Sequence, residues 1–290
     1  MYTHPDIQFV EGYPLRERST VGLGPCVCAA FAKTRDAFLA LLRDCTVRCR
    51  PYHVLGRMSN TLAPPEDDGT LYIFTDFLAD IRVDEQTVTL GAGCRLSGAI
   101  SYLAARGLHL LPSLCGVPGS VGGAVYSNAG AFGESLSDAV LSCLVFDTAS
   151  REVLRLSSSE MAFSYRHSIL RDRPLVLLEC TLDLTRCLGK EEYECRRALA
   201  IEKRRMQQPT GKSLGCVFKQ HEGVSVGMLI DRMGYKGREI GGIFVSERHA
   251  GFLINRGDGD VLSYRALVDE ISQKIYERYG FVPQKEITVL

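Results

Sequence analysis

Residues 114–133 read LCGVPGSVGGAVYSNAGAFG, and six of the chain's 28 glycines fall within this stretch. A glycine inside a helix or strand costs roughly 0.5–1 kcal/mol relative to alanine, so this density indicates backbone that must approach a partner closely. Apolar side chains anchor the stretch in a core and distinguish it from a polar linker: Val117, Val121, Val125 and Phe132. The stretch therefore predicts a rigid wall against a flat ligand that carries phosphates. A tight loop between two elements is the alternative.

The composition is that of an ordinary soluble globular protein, with 290 residues, 46% hydrophobic and 23% charged. This length is enough for two or three domains. The formal net charge is zero, which argues against nucleic-acid binding through a bulk positive field. No apolar run reaches the ~18 residues that span a bilayer, and the N-terminus lacks the basic and apolar regions of a signal peptide. We expect a cytoplasmic protein.

The chain has eleven cysteines, but their spacing does not indicate a metal site. Cys26 and Cys28 are one residue apart, Cys45 and Cys49 three apart, and no second pair has zinc-finger spacing. Without an export signal, an odd number of cysteines predicts reduced thiols, most of them buried as small hydrophobic side chains.

Helices and strands are mixed along the chain without strict βαβ alternation, which predicts an α+β fold rather than a doubly wound sheet. Strands are expected at Leu71–Asp76, Thr87–Gly91, Val140–Phe146, Leu175–Leu184, Ile243–Ser246, Phe252–Asn255 and Glu286–Leu290. Helices are expected from the cap Ser97 to Arg106, from a Ser157/Glu160 capping box to Tyr165, over Glu191–Met206, from the cap Ser225 to Gly234, and from the cap Ser263 to Gly280.

Two short glycine turns elsewhere in the chain could also face a ligand. The turn Gly56-Arg57-Met58-Ser59-Asn60 can present backbone and side-chain donors to a diphosphate. The turn Gly91–Gly93 lacks the third glycine and the acidic partner of a dinucleotide-binding fingerprint, so that interpretation is rejected.

Three further residues are candidates for chemistry, each with an ordinary structural alternative. Arg166, beside Tyr165, can aim a planar guanidinium at a carboxylate, or it forms a surface salt bridge. Cys216 is a thiol that can give or take a proton, or it is buried and inert. Glu286 begins the last expected strand, where a solvated edge charge is the alternative.

Taken in their order along the chain, the motifs resemble those of one family, the flavin-dependent UDP-N-acetylenolpyruvoylglucosamine reductases of peptidoglycan synthesis. The resemblance covers nearly the whole chain. The matching residues are Gly56-x-x-Ser59-Asn60, Pro118–Ala124, Asn128–Gly133, Tyr165-Arg166-x-Ser168, Gly215-x-Val217-Phe218-Lys219, Gly241-Gly242, Ser246-x-x-His249-Ala250 and Glu286-Ile287.

The resemblance implies an α+β protein with a two-part FAD-binding region of the PCMH type and a C-terminal substrate-binding domain. The expected bounds are residues 1–77 and 78–186 for the FAD-binding parts and 187–290 for the substrate domain. FAD is the implied cofactor and NADPH the co-substrate. The implied substrate is UDP-N-acetylglucosamine enolpyruvate, and the implied product is UDP-N-acetylmuramate. We expect the shorter subtype of the family, a monomer that binds neither nucleic acid nor membranes.

The resemblance also assigns roles to residues of this chain. FAD contacts are expected from Gly56, Arg57, Met58, Ser59, Asn60, Gly116, Pro118, Gly119, Ser120, Gly122, Gly123, Asn128 and Gly130. Substrate contacts are expected from Tyr165, Ser168, Lys219 and Gln220. Arg166 would stabilise the charge that develops on the substrate after hydride addition. Cys216 would supply the proton, and Glu286, if protonated, would hydrogen-bond the enolate.

The chain departs from the family pattern at three places. Cys216 stands where the family usually has serine, Met58 where the turn has a second glycine, and Gln220-His221 where Asn-Pro follows the lysine. We expect His221 to be a solvated side chain rather than a catalytic one. These departures leave two rivals open: a non-catalytic flavin-binding or nucleotide-sugar-binding paralogue, and a transferase that uses Cys216 as a nucleophile.

Overall fold

The computed structural model describes residues 4–290, which form two compact units. The first unit consists of the chain up to Glu11, Cys28–Gly56 and Gly69–Glu202. The second consists of Gly12–Val27, Arg57–Asp68 and Lys203–Leu290. The three-part division at residues 77 and 186 stays a prediction.

Strands and helices are mixed throughout, as the α+β prediction requires. The strands are β1 (Ile7–Pro14), β2 (Cys26–Ala32), β3 (Tyr52–Leu55), β4 (Thr61–Leu62), β5 (Leu71–Phe74), β6 (Ile81–Val83), β7 (Thr87–Gly91), β8 (Gly130–Ala131), β9 (Glu134–Ser135), β10 (Val140–Asp147), β11 (Glu152–Ser157), β12 (Leu175–Asp183), β13 (Glu239–Ile240), β14 (Ile243–Val245), β15 (Leu253–Asn255) and β16 (Thr288–Val289). The helices are α1 (Leu15–Arg18), α2 (Arg35–Val47), α3 (Leu96–Ala104), α4 (Val121–Tyr126), α5 (Lys190–Gln207), α6 (Val226–Arg232) and α7 (Val261–Tyr279).

Two sheets organise the first unit. One has the order β1-β2-β5-β3, in which β5 pairs in parallel with both β2 and β3. All four side chains of β5 are buried, as is usual for a parallel strand covered on both faces. The other sheet is antiparallel, with the order β11-β10-β12-β7-β6. One hydrophobic cluster surrounds α2, and a second surrounds α3 and α4.

The second unit packs α6 and α7 with the antiparallel sheet β13-β14-β15. The pairing of β14 with β15 confirms the two strands predicted there. The apolar face of α7 is buried as predicted, through Leu267, Val268, Ile271 and Ile275. The last strand is shorter than predicted: it consists of Thr288 and Val289, which pair in parallel with β4.

Two of the predicted helix starts are wrong in detail. Helix α3 begins at Leu96 with Arg95 as its N-cap, so Ser97 lies inside it. In α7 the cap is Asp260, whose carboxylate accepts from the Ser263 N–H at 2.6 Å. An aspartate at that position satisfies a free backbone donor as well as a serine does. The Ser225 cap of α6 is confirmed.

The Ser157/Glu160 capping box forms but opens no helix. The Ser157 N–H donates to Glu160 Oε2 at 2.8 Å, and the Glu160 N–H donates to Ser157 Oγ at 3.3 Å. The residues that follow form turns only. A capping box satisfies the first donors of a helix, but a helix this short needs an apolar face to bury.

The eleven cysteines are free thiols: five are buried, three half-buried and three exposed. Among residues 4–290, no helix is long and apolar enough to cross a membrane.

Candidate functional site

The glycine-rich stretch forms a short helix whose apolar side chains face the core of the first unit. Ser120 is the N-cap of α4, and its Oγ accepts from the Gly123 N–H at 3.2 Å. Val121 and Val125 are fully buried, as predicted. Phe132 is 37% exposed, so the prediction that it anchors the stretch is wrong. It adopts a positive φ of 53° in the turn after β8.

Close backbone approaches explain why glycine is needed in this part of the first unit. A Cβ on Gly56 would overlap Ser120 Oγ, so the turn after β3 lies directly against the cap of α4. Gly119 has a φ of 122°, a conformation that residues with a side chain rarely adopt. Gly116, Pro118 and Gly123 face solvent.

These features fit a cofactor with a diphosphate. Gly56 and residues 116–123 form a cradle that any side chain at position 56 would fill. Backbone N–H groups in such glycine turns are suited to phosphate oxygens. Of the predicted FAD contacts, those assigned to the first unit lie along this cradle and the segment that follows it: Gly56, Gly116, Pro118, Gly119, Ser120, Gly122, Gly123, Asn128 and Gly130.

Three hydrogen bonds join residues 126–130 to residues 164–168, so the predicted cofactor wall and the predicted substrate motif are adjacent. They run from Ser168 Oγ to the Tyr126 carbonyl (2.9 Å), from Asn128 Nδ2 to the Ser164 carbonyl (3.0 Å) and from Arg166 Nη2 to the Gly130 carbonyl (2.7 Å). Ser168 and Asn128 are buried, so their positions are set by packing as well as by these bonds.

Arg166 is held in an unusual backbone conformation. Its φ is 54°, in the left-handed region, where a non-glycine residue is strained. Its guanidinium lies 5.2 Å from the ring centroid of Tyr165, which is 51% exposed. Strain of this kind concentrates at sites where a side chain must point in a set direction.

In the second unit, the segment around Cys216 pairs with the C-terminal segment. The Glu286 N–H donates to the Val217 carbonyl at 2.7 Å, and the Lys219 N–H donates to the Gln284 carbonyl at 2.9 Å. On its other side, Cys216 forms an antiparallel bridge with Phe252. Cys216, Lys219 and Glu286, distant in sequence, therefore lie on paired segments, whereas Arg166 belongs to the first unit.

The turn after Gly56 also contributes to the second unit. Asn60 Nδ2 donates to the Glu286 carbonyl at 3.1 Å, and the Thr288 N–H donates to the Asn60 carbonyl at 2.9 Å. Met58 has a φ of 49° and is 3% exposed, so methionine adopts the backbone conformation that a glycine would adopt freely. Arg57 and Ser59 are half-buried.

The two residues that replace Asn-Pro behave differently from each other. Gln220 is exposed. His221 is half-buried and stacks on Phe281, with the ring centroids 3.7 Å apart and the planes 6° from parallel. The prediction of a solvated His221 is therefore wrong, because the neighbouring C-terminal segment supplies an aromatic partner.

Comparison with known proteins identifies the family. The family model described as an FAD binding domain matches residues 27–157, and that of the C-terminal domain of UDP-N-acetylenolpyruvoylglucosamine reductase matches residues 206–290. The reductase of Lactococcus lactis subsp. cremoris (strain MG1363) is 33% identical over 290 residues, covering 99% of this chain and 96% of the relative. That of Streptococcus pneumoniae (strain JJA) is 33% identical over 98% of this chain and 94% of the relative.

The chain belongs to the UDP-N-acetylenolpyruvoylglucosamine reductase family. The crystal structure of the Thermus caldophilus reductase superposes with a TM-score of 0.81 at 28% identity, and covers 98% of both chains. The predicted family, the α+β fold with an FAD-binding region and the cofactor class are confirmed. The roles of individual site residues stay predictions.

Two polar residues of this reductase-family chain were not predicted as site residues. Glu134 follows the glycine-rich stretch; its Oε2 accepts from the Ser113 N–H at 2.7 Å, and burial raises its pKa. His249 Nδ1 accepts from the Gly251 N–H at 3.0 Å, and burial lowers its pKa. The sequence signal was the place of His249 inside a matching motif and of Glu134 directly after one.

Proposed function

We propose that the chain carries out the reaction of its family with Arg166, Cys216 and Glu286 as the catalytic residues. The chain is an FAD-dependent oxidoreductase. It reduces UDP-N-acetylglucosamine enolpyruvate to UDP-N-acetylmuramate with NADPH, a step of peptidoglycan precursor synthesis. The observation that carries the residue assignment is the pairing of the Cys216 segment with the Glu286 segment, because it gathers two reactive side chains from distant parts of the sequence.

The cradle of Gly56 and residues 116–123 would hold the FAD diphosphate through backbone N–H groups. When bound, FAD would pass to the substrate the hydride that it receives from NADPH. Arg57, Met58, Ser59 and Asn60 complete the proposed cofactor contacts.

Arg166 is proposed to stabilise the charge that develops on the substrate. Hydride addition to one carbon of the enolpyruvyl double bond leaves negative charge on the other carbon and on the carboxylate. A guanidinium already oriented by the Gly130 carbonyl stabilises that charge without reorganising during the reaction. Glu286 in its protonated form would donate a hydrogen bond to the same enolate.

Cys216 is proposed to give the proton that completes the reduction. A thiol is more acidic than the alcohol usual in the family, so protonation of the enolate is easier thermodynamically. Sulfur is a weaker hydrogen-bond donor than oxygen, so the thiol depends more on its surroundings for alignment. Cys216 is half-buried.

Substrate contacts are proposed for Tyr165, Ser168, Lys219 and Gln220. Lys219 is 7% exposed, and its positive charge suits an anionic group of the substrate, the nucleotide diphosphate or the carboxylate.

The proposal is tested with the purified protein in three steps. A bound flavin gives a visible absorption spectrum; NADPH should bleach it under anaerobic conditions, and the enolpyruvyl substrate should restore it. A protein that binds flavin but neither bleaches nor recovers would be a non-catalytic paralogue. A colourless protein that cannot be loaded with FAD would favour the transferase.

The Cys216 assignment is tested separately. In Cys216→Ala, bleaching by NADPH should keep the parent rate, and recovery with substrate should slow by roughly 10²–10⁴-fold, the usual contribution of a positioned acid. Cys187→Ser, at another half-buried thiol, is the control. Recovery of Cys216→Ala at the parent rate would remove Cys216 from the mechanism.

The finer predictions about the whole protein are also proposals. They are a monomer in the cytoplasm that binds neither nucleic acid nor membranes; the zero formal net charge supports the part that concerns nucleic acid. Light scattering after gel filtration measures the mass, which should be that of one chain of 32.0 kDa.

A further inference from the structure

A short hairpin, residues 221–224, follows the proposed substrate contacts of the second unit. The His221 N–H donates to the Val224 carbonyl at 3.0 Å, and the Val224 N–H donates to the His221 carbonyl at 2.8 Å. Glu222 and Gly223 form the two-residue turn, with φ values of 47° and 79°. A positive φ at both central residues is typical of a tight hairpin turn. The chain therefore reverses directly after those contacts.

The stack of His221 on Phe281 holds this hairpin. The ring centroids lie 3.7 Å apart and the planes are 6° from parallel. This arrangement is closer and flatter than the stack of His109 on Tyr193 in the first unit, at 4.9 Å and 22°. His221 and Phe281 are both half-buried. Two flat rings in contact contribute stabilisation beyond the apolar area that they bury.

Phe281 is a fixed support for the hairpin, because it directly follows the end of α7. Gly280 ends that helix in the left-handed conformation, with a φ of 79°, and its N–H donates to the Tyr276 carbonyl at 2.9 Å. Phe281 also packs against the hydrophobic cluster of the second unit. The stack therefore attaches the hairpin to a helix of 19 residues.

Lys219 and Gln220 lie between two attachments. On one side, the Lys219 N–H donates to the Gln284 carbonyl at 2.9 Å. On the other side, the next residue along the chain is His221 with its stack on Phe281. Side chains that bind a ligand in a set geometry need such support from their neighbours. The two attachments together fix the backbone that carries the proposed substrate contacts.

We propose that His221 and Phe281 are positioning residues: their stack holds Lys219 and Gln220 in place for the anionic nucleotide-sugar substrate and thereby sets its affinity. This inference rests on the proposed function, in which Lys219 and Gln220 contact that substrate. The proposed proton donor, Cys216, is held by a separate bridge to another strand. The stack should therefore set the affinity for substrate rather than the rate of the chemical step.

The experiment compares His221→Leu with His221→Phe in the FAD-loaded enzyme. Leucine is of similar size but has no flat face, whereas phenylalanine keeps a ring that can stack. His109→Leu is the matched control, because it removes the stack on Tyr193 in the first unit. The kinetic readouts are the substrate concentration that gives half-maximal flavin recovery and the recovery rate at saturating substrate. The structural readout is hydrogen exchange of the peptide that contains Lys219, measured by mass spectrometry.

His221→Leu should raise the half-saturating substrate concentration by roughly 3- to 10-fold, within the range for the loss of an aromatic pair. The saturated recovery rate should not change, and the peptide that contains Lys219 should exchange faster. His221→Phe should restore the affinity and the slow exchange, and His109→Leu should match the parent in both. Phe281→Leu should weaken binding to the same degree, and adding His221→Leu to it should have no further effect, because the two residues act through one contact.

The inference and the proposed function fail in different ways, and Lys219→Met separates them. If Lys219→Met binds substrate weakly while His221→Leu keeps the parent affinity, the inference is overturned and the proposed substrate contact stands. If Lys219→Met keeps the parent affinity, or if the parent itself never recovers, the substrate contact fails and the inference fails with it. A loss in His221→Phe as large as in His221→Leu would attribute the effect to the imidazole rather than to the stack. An equal loss in His109→Leu would attribute it to general destabilisation, and either result would overturn the inference.

Discussion

Arg166 Nη2 donates to the carbonyl oxygen of Gly130 across 2.7 Å, although the two residues are 36 positions apart. The bond ties the end of the glycine-rich stretch to the guanidinium proposed to meet the substrate. Glycine is required at position 130, since a Cβ there would lie 2.9 Å from the backbone carbonyl oxygen of Glu134 as well as 2.9 Å from Arg166 Nη1.

Arg166→Lys should slow flavin recovery with substrate by roughly 10²–10³-fold, because lysine keeps the charge but loses the oriented planar donor. Bleaching by NADPH should keep its rate. Stopped-flow absorbance measures both. Arg151→Lys is a matched control, since Arg151 also has a positive φ, 63°, but is exposed in a turn. An equal loss in both variants would attribute the effect to the backbone rather than to the guanidinium.

Gly56→Ala should weaken FAD binding by roughly tenfold or more and destabilise the protein by about 1–3 kcal/mol, the usual cost of overpacking. The added methyl would overlap Ser120 Oγ and move the cap of α4. Flavin titration and denaturant unfolding measure the two effects. Gly189→Ala is the control, because a Cβ there meets nothing within 4 Å. Unchanged FAD affinity in Gly56→Ala would show that the cradle does not hold the cofactor.

Met58→Gly should destabilise the protein even though it relieves backbone strain. Relief of a positive φ is worth about 1–2 kcal/mol, whereas the cavity left by a buried methionine costs roughly 2–5 kcal/mol. Met58→Ala keeps the strain and loses the side chain, so it should be about 1 kcal/mol less stable than Met58→Gly. Urea unfolding gives both values, with Met228→Ala, at a 42% exposed methionine, as the control. A Met58→Gly protein more stable than the parent would mean that the packing of Met58 contributes little.

The stability of the protein should fall as the pH falls below about 6.5, partly because of His249. Burial lowers the pKa of His249 from 6.5, so the unfolded chain binds a proton that the folded chain does not. The contribution of His249 is complete above 6.5 and is lost as the pH falls through the lowered folded-state value. Protonation would also break the bond in which Nδ1 accepts from the Gly251 N–H.

The measurement is thermal unfolding of the parent and of His249→Asn between pH 7.5 and 5. Asparagine can accept the same hydrogen bond but does not titrate, so the variant should lose less stability over this range than the parent. Identical curves for the parent and His249→Asn would exclude His249 as a source of the pH dependence.

Local sequence patterns correctly predicted those helices and strands whose spacing and cap or turn residues lie within the element itself. The apolar face of α7, the Ser225 cap of α6 and the pairing of β14 with β15 all follow from spacing and turn residues. At α7 the error came from a competition between two good caps. Asp260 and Ser263 are both good N-caps, and only the backbone path into α7 selects Asp260.

The sequence by itself determined the family, the cofactor class and the motifs that carry them, because these depend on residue type and order. Tertiary structure alone decided which segments pair with one another. Nothing in the spacing indicates that Asn60, Val217 and Glu286 would be joined, since such pairing depends on long-range hydrogen bonds between segments. It also decided that Met58 takes a glycine-like conformation and that His221 stacks on Phe281, because ring contacts and backbone angles are set by packing.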